Sequence, residues 1–124
     1  MAARLGRLTR HSDFDRVFRE GRRGRSDLLL VRAVRTGREE VRVGFVIGHK
    51  VGGAVARNRI RRRVREALRG WGARLPGGVD LVITPSAACV EVPFERLREA
   101  LRSALKRAGA WLDEAATEEA GRAR

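Results

Sequence analysis

The chain has 124 residues, room for one modest core and not two, so a single domain is expected. Lys and Arg number 28 against 15 Asp and Glu, giving a formal net charge of +13, and only Lys50 and Lys106 among the cations are lysine. That balance calls for a polyanionic partner. No apolar run approaches the roughly 20 residues of a membrane span and none near the N-terminus resembles a signal peptide, while the lone Cys89 rules out a disulfide framework and suits a reducing cytoplasm.

In chain order, Met1 to Arg10 reads as a basic arm. Ser12 is placed to cap a helix, with Asp15 in a capping-box position and Gly21 to end it. Phe14, Val17 and Phe18 recur on one face of that helix. Arg22 to Ser26 is a basic link. Leu28 to Val34 reads as a buried strand and Thr36 to Glu40 as a turn. Val41, Val43, Phe45 and Ile47 alternate with Arg42 and Gly44, which predicts a second strand paired antiparallel to the first. A helix from about Ala54 to Arg69 is expected to stop at Gly70. Pro76-Gly77-Gly78 belongs to a loop, and Asp80 to Thr84 is a short strand closed by Pro85. Pro93 suits the first turn of a last helix, whose stripe is Phe94, Leu97, Leu101, Ala104, Leu105 and Ala108, with Trp111 and Leu112 as a possible extension. Residues 113–124 lack periodicity and read as a disordered tail, leaving a single α+β domain over residues 1–112.

The helix after the Gly52-Gly53 turn carries seven arginines, Asn58 and a single acid, Glu66. At about 100° per residue, Ala56, Ile60, Val64, Ala67 and Trp71 fall on one side, toward the core. Asn58, Arg62, Arg65 and Arg69 fall opposite, with Arg59 and Arg61 flanking them. Arg57 and Arg63 lie near the core boundary, where long stems run along apolar surface. Guanidinium groups are permanently charged forks that fit phosphate oxygens two at a time. So many on one helix repel each other unless a polyanion lies against them, and Asn58 adds directional hydrogen bonds. The competing reading, a solvated basic face, leaves that concentration unexplained.

At these residues the chain resembles the protein subunit of bacterial ribonuclease P. The resemblance is carried by Gly44-Phe45, Lys50-Val51-Gly52, Ala54-Val55, Arg57-Asn58-Arg59, Arg62-Arg63 and Arg65-Glu66. Upstream, Asp13-Phe14 and Val17 to Gly21 resemble the family's first helix, and Asp80 to Ile83 and the Pro93 helix also fit, so that Leu8 to Trp111 is covered. The resemblance implies an α-β sandwich of order α-β-β-β-α-β-α, like the second domain of ribosomal protein S5. It also implies a strand near Arg22 to Arg25 that the hydropathy pattern does not give, and a left-handed crossover through the arginine helix, against the usual right-handed preference.

In function the resemblance implies a protein that binds a large catalytic RNA and, with it, removes the 5′ leader of precursor tRNA, the RNA and its Mg²⁺ performing the hydrolysis. Arg57, Asn58, Arg59, Arg62, Arg63, Arg65 and Arg69, with Lys50 and His49, are then the RNA-binding residues. Phe14, Phe18 and Arg32 are the leader-binding ones. No catalytic residue, protein-held metal, membrane or protein partner is expected, since the chain shows no metal-ligand cluster, nucleophile elbow or phosphate-cradling glycine loop. Two features depart from the family. Val46-Ile47-Gly48-His49-Lys50 stands where Ser-x-Ser-Lys-Lys is frequent, so a titrating His replaces a fixed charge. Arg32 stands where an aromatic is frequent, although a guanidinium also stacks on a base.

Two other classes compete. A ribosomal or RNA-chaperone protein explains the charge equally well but has no need of Phe14 and Phe18 beside the arginine helix. A helix-turn-helix DNA binder requires a second helix about 3–4 residues upstream, where a strand is expected instead. The two phenylalanines themselves admit two readings: both rings pin the first helix to the sheet, or both stand along a groove over which leader bases pass.

Overall fold

Residues 4–112 are described by the structure, a computed structural model, so the expectation of a tail over 113–124 lies outside the described residues. The strands are β1 (Leu5–Arg7), β2 (Arg22–Arg25), β3 (Leu29–Arg35), β4 (Val41–Phe45) and β5 (Val79–Pro85). The helices are α1 (His11–Glu20), α2 (Ala54–Trp71) and α3 (Phe94–Arg107), joined in places by single 3₁₀ turns at His49–Val51, Gly72–Arg74 and Ala87–Val90. The order α-β-β-β-α-β-α is therefore present, preceded by one short strand.

The strands form one sheet in the order β1-β4-β5-β3-β2. Alternation along them sets two faces. Leu29, Val31 and Ala33 of β3, Val41 and Val43 of β4, and Val79, Leu81 and Ile83 of β5 share a core with Ile60, Val64 and Leu68 of α2 and Leu97, Leu101 and Leu105 of α3. Burying each such side chain is worth about 1.5–3 kcal/mol. On the opposite face Val17 of α1 packs with Leu8 and Val82, with Phe14 and Val34 at the margin. The sheet thus lies between α1 on one side and α2 and α3 on the other.

Four expectations are corrected. The strands over Leu29–Arg35 and Val41–Phe45 are not antiparallel partners: β5 lies between them, antiparallel to β3 and parallel to β4. Alternation fixes which face a strand buries, not its neighbour. The link between β3 and β4 crosses the start of β5, where Thr36 N–H donates to the Gly78 carbonyl at 2.8 Å. Gly78 has φ +74°, and a Cβ there would lie 2.2 Å from the Arg38 carbonyl oxygen, so only glycine lets the link pass. Part of the expected N-terminal arm is β1, parallel to β4, and Leu8 N–H extends the pairing to the Val43 carbonyl at 3.0 Å.

Ser12 does not cap α1. The helix begins two residues earlier, with Arg10 at the N-cap and no side-chain cap hydrogen bond. Gly70 does not end α2, which runs through it to Trp71 and stops at Gly72, φ +44°. A glycine inside a helix costs only about 1 kcal/mol, and the extra turn packs Trp71 edge-on against Trp111, with ring centroids 4.9 Å apart.

Candidate nucleic-acid interface

Along α2 the apolar side (Ile60, Val64, Ala67 and Leu68) is buried and the charged side stands clear, as its periodicity requires. Asn58, Arg62 and Arg69 are exposed, and Arg61 and Arg65 are half-buried. With them α2 forms one wall of a groove of about 630 Å³. Arg7, Leu8 and Thr9, at the end of β1, form another, Phe14 comes from α1, and Gly44 and Phe45 of β4 complete it. Gly44 is needed for this shape: a Cβ there would sit 2.5 Å from Cζ of Phe14, so the bare backbone is what lets the ring close on the sheet.

Within the groove the cations crowd. Arg61 Nη1 donates to Asn58 Oδ1 at 2.8 Å, which orients the amide and leaves its NH₂ free to donate outward. The Arg65 guanidinium lies over the Phe45 ring, 5.3 Å from its centroid. Burial, followed by repulsion from Arg7, Arg61 and Arg69, lowers the pKa of Arg65 from its ordinary value, though an arginine stays charged at any physiological pH. Its Nε is buried with no hydrogen-bond partner, and so is the Nε of half-buried Arg57.

Two arginines of the same helix turn elsewhere. Arg63 Nη1 donates to the carbonyls of Cys89 and Val90 at 2.7 and 2.9 Å, and its Nη2 donates to that of Val92. Arg59 Nε donates to the Val90 carbonyl at 2.7 Å. These two side chains fasten the Ala87–Val90 turn to α2 and do not line the groove. Cys89 in that turn is fully buried, its thiol donating to the Leu28 carbonyl at 3.3 Å, and burial pushes its pKa up. His49 and Lys50 are exposed on the 3₁₀ turn that leads into α2, also outside the groove.

The structure separates the two phenylalanines. Phe14 is half-buried and lines the arginine groove. Phe18, one turn on, is 44% exposed in a different, shallower depression with Ser12, Asp15 and Arg19. The Arg32 guanidinium lies over the Phe18 ring, 4.7 Å from its centroid, so neither ring is in the deep core. Burial and the neighbouring charges of Arg23 and Arg25 lower the pKa of Arg32.

Sequence reasoning missed the polar core that holds α1 to the sheet. Asp80 of β5 is fully buried and accepts from Arg42 of β4 in a fork, Nε at 2.8 Å and Nη2 at 2.7 Å. Arg16 of α1 reaches the same carboxylate at 3.1 Å, and Asp13 of α1 accepts from Arg42 Nη1 at 3.4 Å. The one available signal was an acid beginning the apolar run Leu81-Val82-Ile83. Among the described residues no group of three or more His, Cys, Asp or Glu is placed to hold a metal ion, and no helix is long and apolar enough to cross a membrane.

The fold agrees with comparisons to known proteins. A family model for Ribonuclease P matches residues 2–109. The chain is 42% identical over 106 residues to the ribonuclease P protein component of Chloroflexus aurantiacus, covering 85% of this chain and 78% of that one. It is also 42% identical over 107 residues to the component of a Roseiflexus species, covering 86% and 88%. The solved RNase P protein from Thermotoga maritima aligns with a TM-score of 0.70 at 32% identity, over 77% of this chain and 90% of that one. The Staphylococcus aureus RNase P protein gives a TM-score of 0.75 over 85% and 96%, and at 22% identity this bears on the fold alone. The chain belongs to the bacterial ribonuclease P protein family.

Proposed function

We propose that this chain, a ribonuclease P protein component, binds the catalytic RNA through the outward side of α2 and the 5′ leader of precursor tRNA through α1 and the neighbouring strands. In this way it promotes endonucleolytic maturation of the tRNA 5′ end in the cytoplasm. The observation that carries the reading is the clustering of Arg61, Arg62, Arg65 and Arg69 with Arg7 around one groove. Converging like charges raise the local potential, and phosphate backbone is the polyanion that relieves them. Asn58, Arg62, Arg65 and Arg69 are assigned to the catalytic RNA. Arg57, Lys50 and His49, outside the groove, are assigned supporting contacts, and Arg59 and Arg63 act by holding α2 in place. Phe18 with Arg32, and Phe14 at the groove, are assigned to the leader.

Hydrolysis is expected to depend on Mg²⁺ held mainly by the RNA. The carboxylates of Asp13 and Asp80 do not fit a metal cage, because they are taken up by Arg42 and Arg16. No chemical step is therefore assigned to this chain. The test is reconstitution with precursor tRNA. Protein alone leaves the substrate intact, and protein added to its cognate RNA in Mg²⁺ accelerates cleavage, most at low salt and limiting Mg²⁺. Cleavage by RNA-free protein, or no stimulation of the RNA, overturns the proposal.

A further inference from the structure

The groove has more than a cationic rim. Phe14 and Phe45 both line it, Phe14 set against the bare backbone of Gly44. The guanidinium of Arg65 lies over the Phe45 ring, and its Nε is buried without a partner. A solvated phosphate-binding helix needs none of this apolar depth, since a backbone running along its surface is satisfied by the exposed forks of Arg62 and Arg69. At about 630 Å³ the groove falls in the range of about 300–1,000 Å³ typical of sites for small organic ligands. A nucleotide is a ligand of that size.

Flat walls and a charged rim together select for one chemistry. An aromatic face or a guanidinium plane stacks on a base, but only on a base removed from its neighbours, because in a duplex both faces of each base are already covered. We propose that the groove is a pocket for one unpaired nucleotide, its base lying against Phe14 and the Phe45–Arg65 pair and its flanking phosphates held by Arg7, Arg61, Arg62 and Arg69. Asn58, its carbonyl oxygen held by Arg61, presents amide N–H donors to the base edge or sugar. The inference rests on the reading of the groove as an RNA site and narrows it: the groove recognises unpaired geometry as well as charge. The nucleotide comes either from the catalytic RNA or from the leader.

The test uses the full chain and three short RNA duplexes of identical sequence: fully paired, with one bulged 2-aminopurine, and with the same bulge made abasic. The bulged duplex should bind about tenfold or more tightly than the other two, as expected for one stacked base, and its fluorescence should fall on binding. Arg65→Lys, which keeps the charge but not the flat face, should remove that preference, so that the ratio of bulged to paired affinity falls about tenfold toward one. Phe45→Leu should do the same provided its melting temperature is retained. In the holoenzyme, Arg65→Lys should then weaken either leader-bearing precursor relative to leaderless tRNA, or assembly with the catalytic RNA, and whichever falls identifies the source. Equal affinity for all three duplexes with a normal salt dependence overturns the pocket and leaves the groove an RNA backbone site. Failure of all three to bind overturns the RNA reading itself.

Discussion

Asp80 offers the sharpest test of how α1 is held. Its carboxylate is fully buried and receives hydrogen bonds from Arg42 and Arg16, while Arg42 itself is only 8% exposed. Replacing Asp80 with Asn keeps the shape but removes the charge, and the Arg42 guanidinium is left inside the protein with only Asp13, 3.4 Å away. Removing one partner of a buried ion pair costs about 3–5 kcal/mol, because the orphaned charge keeps its desolvation penalty. For a domain near 100 residues each kcal/mol lowers the melting temperature by about 4 °C or more. The expected fall is therefore roughly 12–20 °C by circular dichroism. Replacing both partners, Arg42→Met with Asp80→Leu, should recover part of it, since an apolar pair of similar volume carries no such penalty while Asp13 and Arg16 lose their partners. A fall below about 4 °C for Asp80→Asn, or no recovery in the double variant, refutes the account of Arg42 as a charge that depends on Asp80.

Four further outcomes are expected. Arg62→Ala should flatten the log-affinity against log-salt slope for the catalytic RNA by about 0.7–0.9. Arg63→Ala should leave the slope nearly unchanged and lower thermal stability, because its donors are spent on the Cys89, Val90 and Val92 carbonyls. Phe18→Leu should weaken binding of leader-bearing precursor and spare mature tRNA, with little loss of stability because the ring is 44% exposed. Equal loss for both ligands with a lower melting temperature makes Phe18 a packing residue. Burial raises the folded-state pKa of Cys89, so above the unfolded thiol value of about 8.5 the unfolded chain releases its proton first and stability falls as pH rises toward the folded value. With no tyrosine in the chain that window is nearly clear of other titrations. Denaturant midpoints from pH 8 to 10 should decline for the wild type and much less for Cys89→Ala.

Much of this architecture is written in periodicity. The buried side of α2, the stripe of α3 and the alternating faces of β3, β4 and β5 follow from spacing alone, because each element meets the core along one side. What spacing cannot carry is adjacency. Nothing in Leu29–Arg35 or Val41–Phe45 says that β5 will enter between them; that is decided by Gly78, a glycine over which the connecting chain must pass. β2, Arg-Arg-Gly-Arg, has no apolar pattern because its inward residue is Gly24, where a Cβ would lie 2.1 Å from the Ala104 carbonyl oxygen. There α3 presses directly on the backbone, and close packing has erased the hydropathy signal that would reveal it. The site divides in the same way. The arginine stripe was legible from one helix, whereas Arg7, Thr9 and Phe45 join it from segments far away in sequence.

The arginines of α2 illustrate why charge and contact must be counted separately. Arg59 through Nε and Arg63 through both Nη atoms donate to backbone carbonyls, which orient a guanidinium but do not neutralise it. Both therefore still contribute to the field that draws in a polyanion, within a Debye length of about 8 Å at physiological ionic strength. Arg42 is the reverse case, matched by Asp80 with Asp13 at its edge, so it adds little to the field and gives its energy to the fold. A basic composition thus conceals three kinds of arginine: those that attract and bind, those that attract while bracing a helix, and one that is internal mortar. Composition counts all three alike. Only the direction of each side chain tells them apart, and that direction is set by where α2 meets the Ala87–Val90 turn on one side and β1 and β4 on the other.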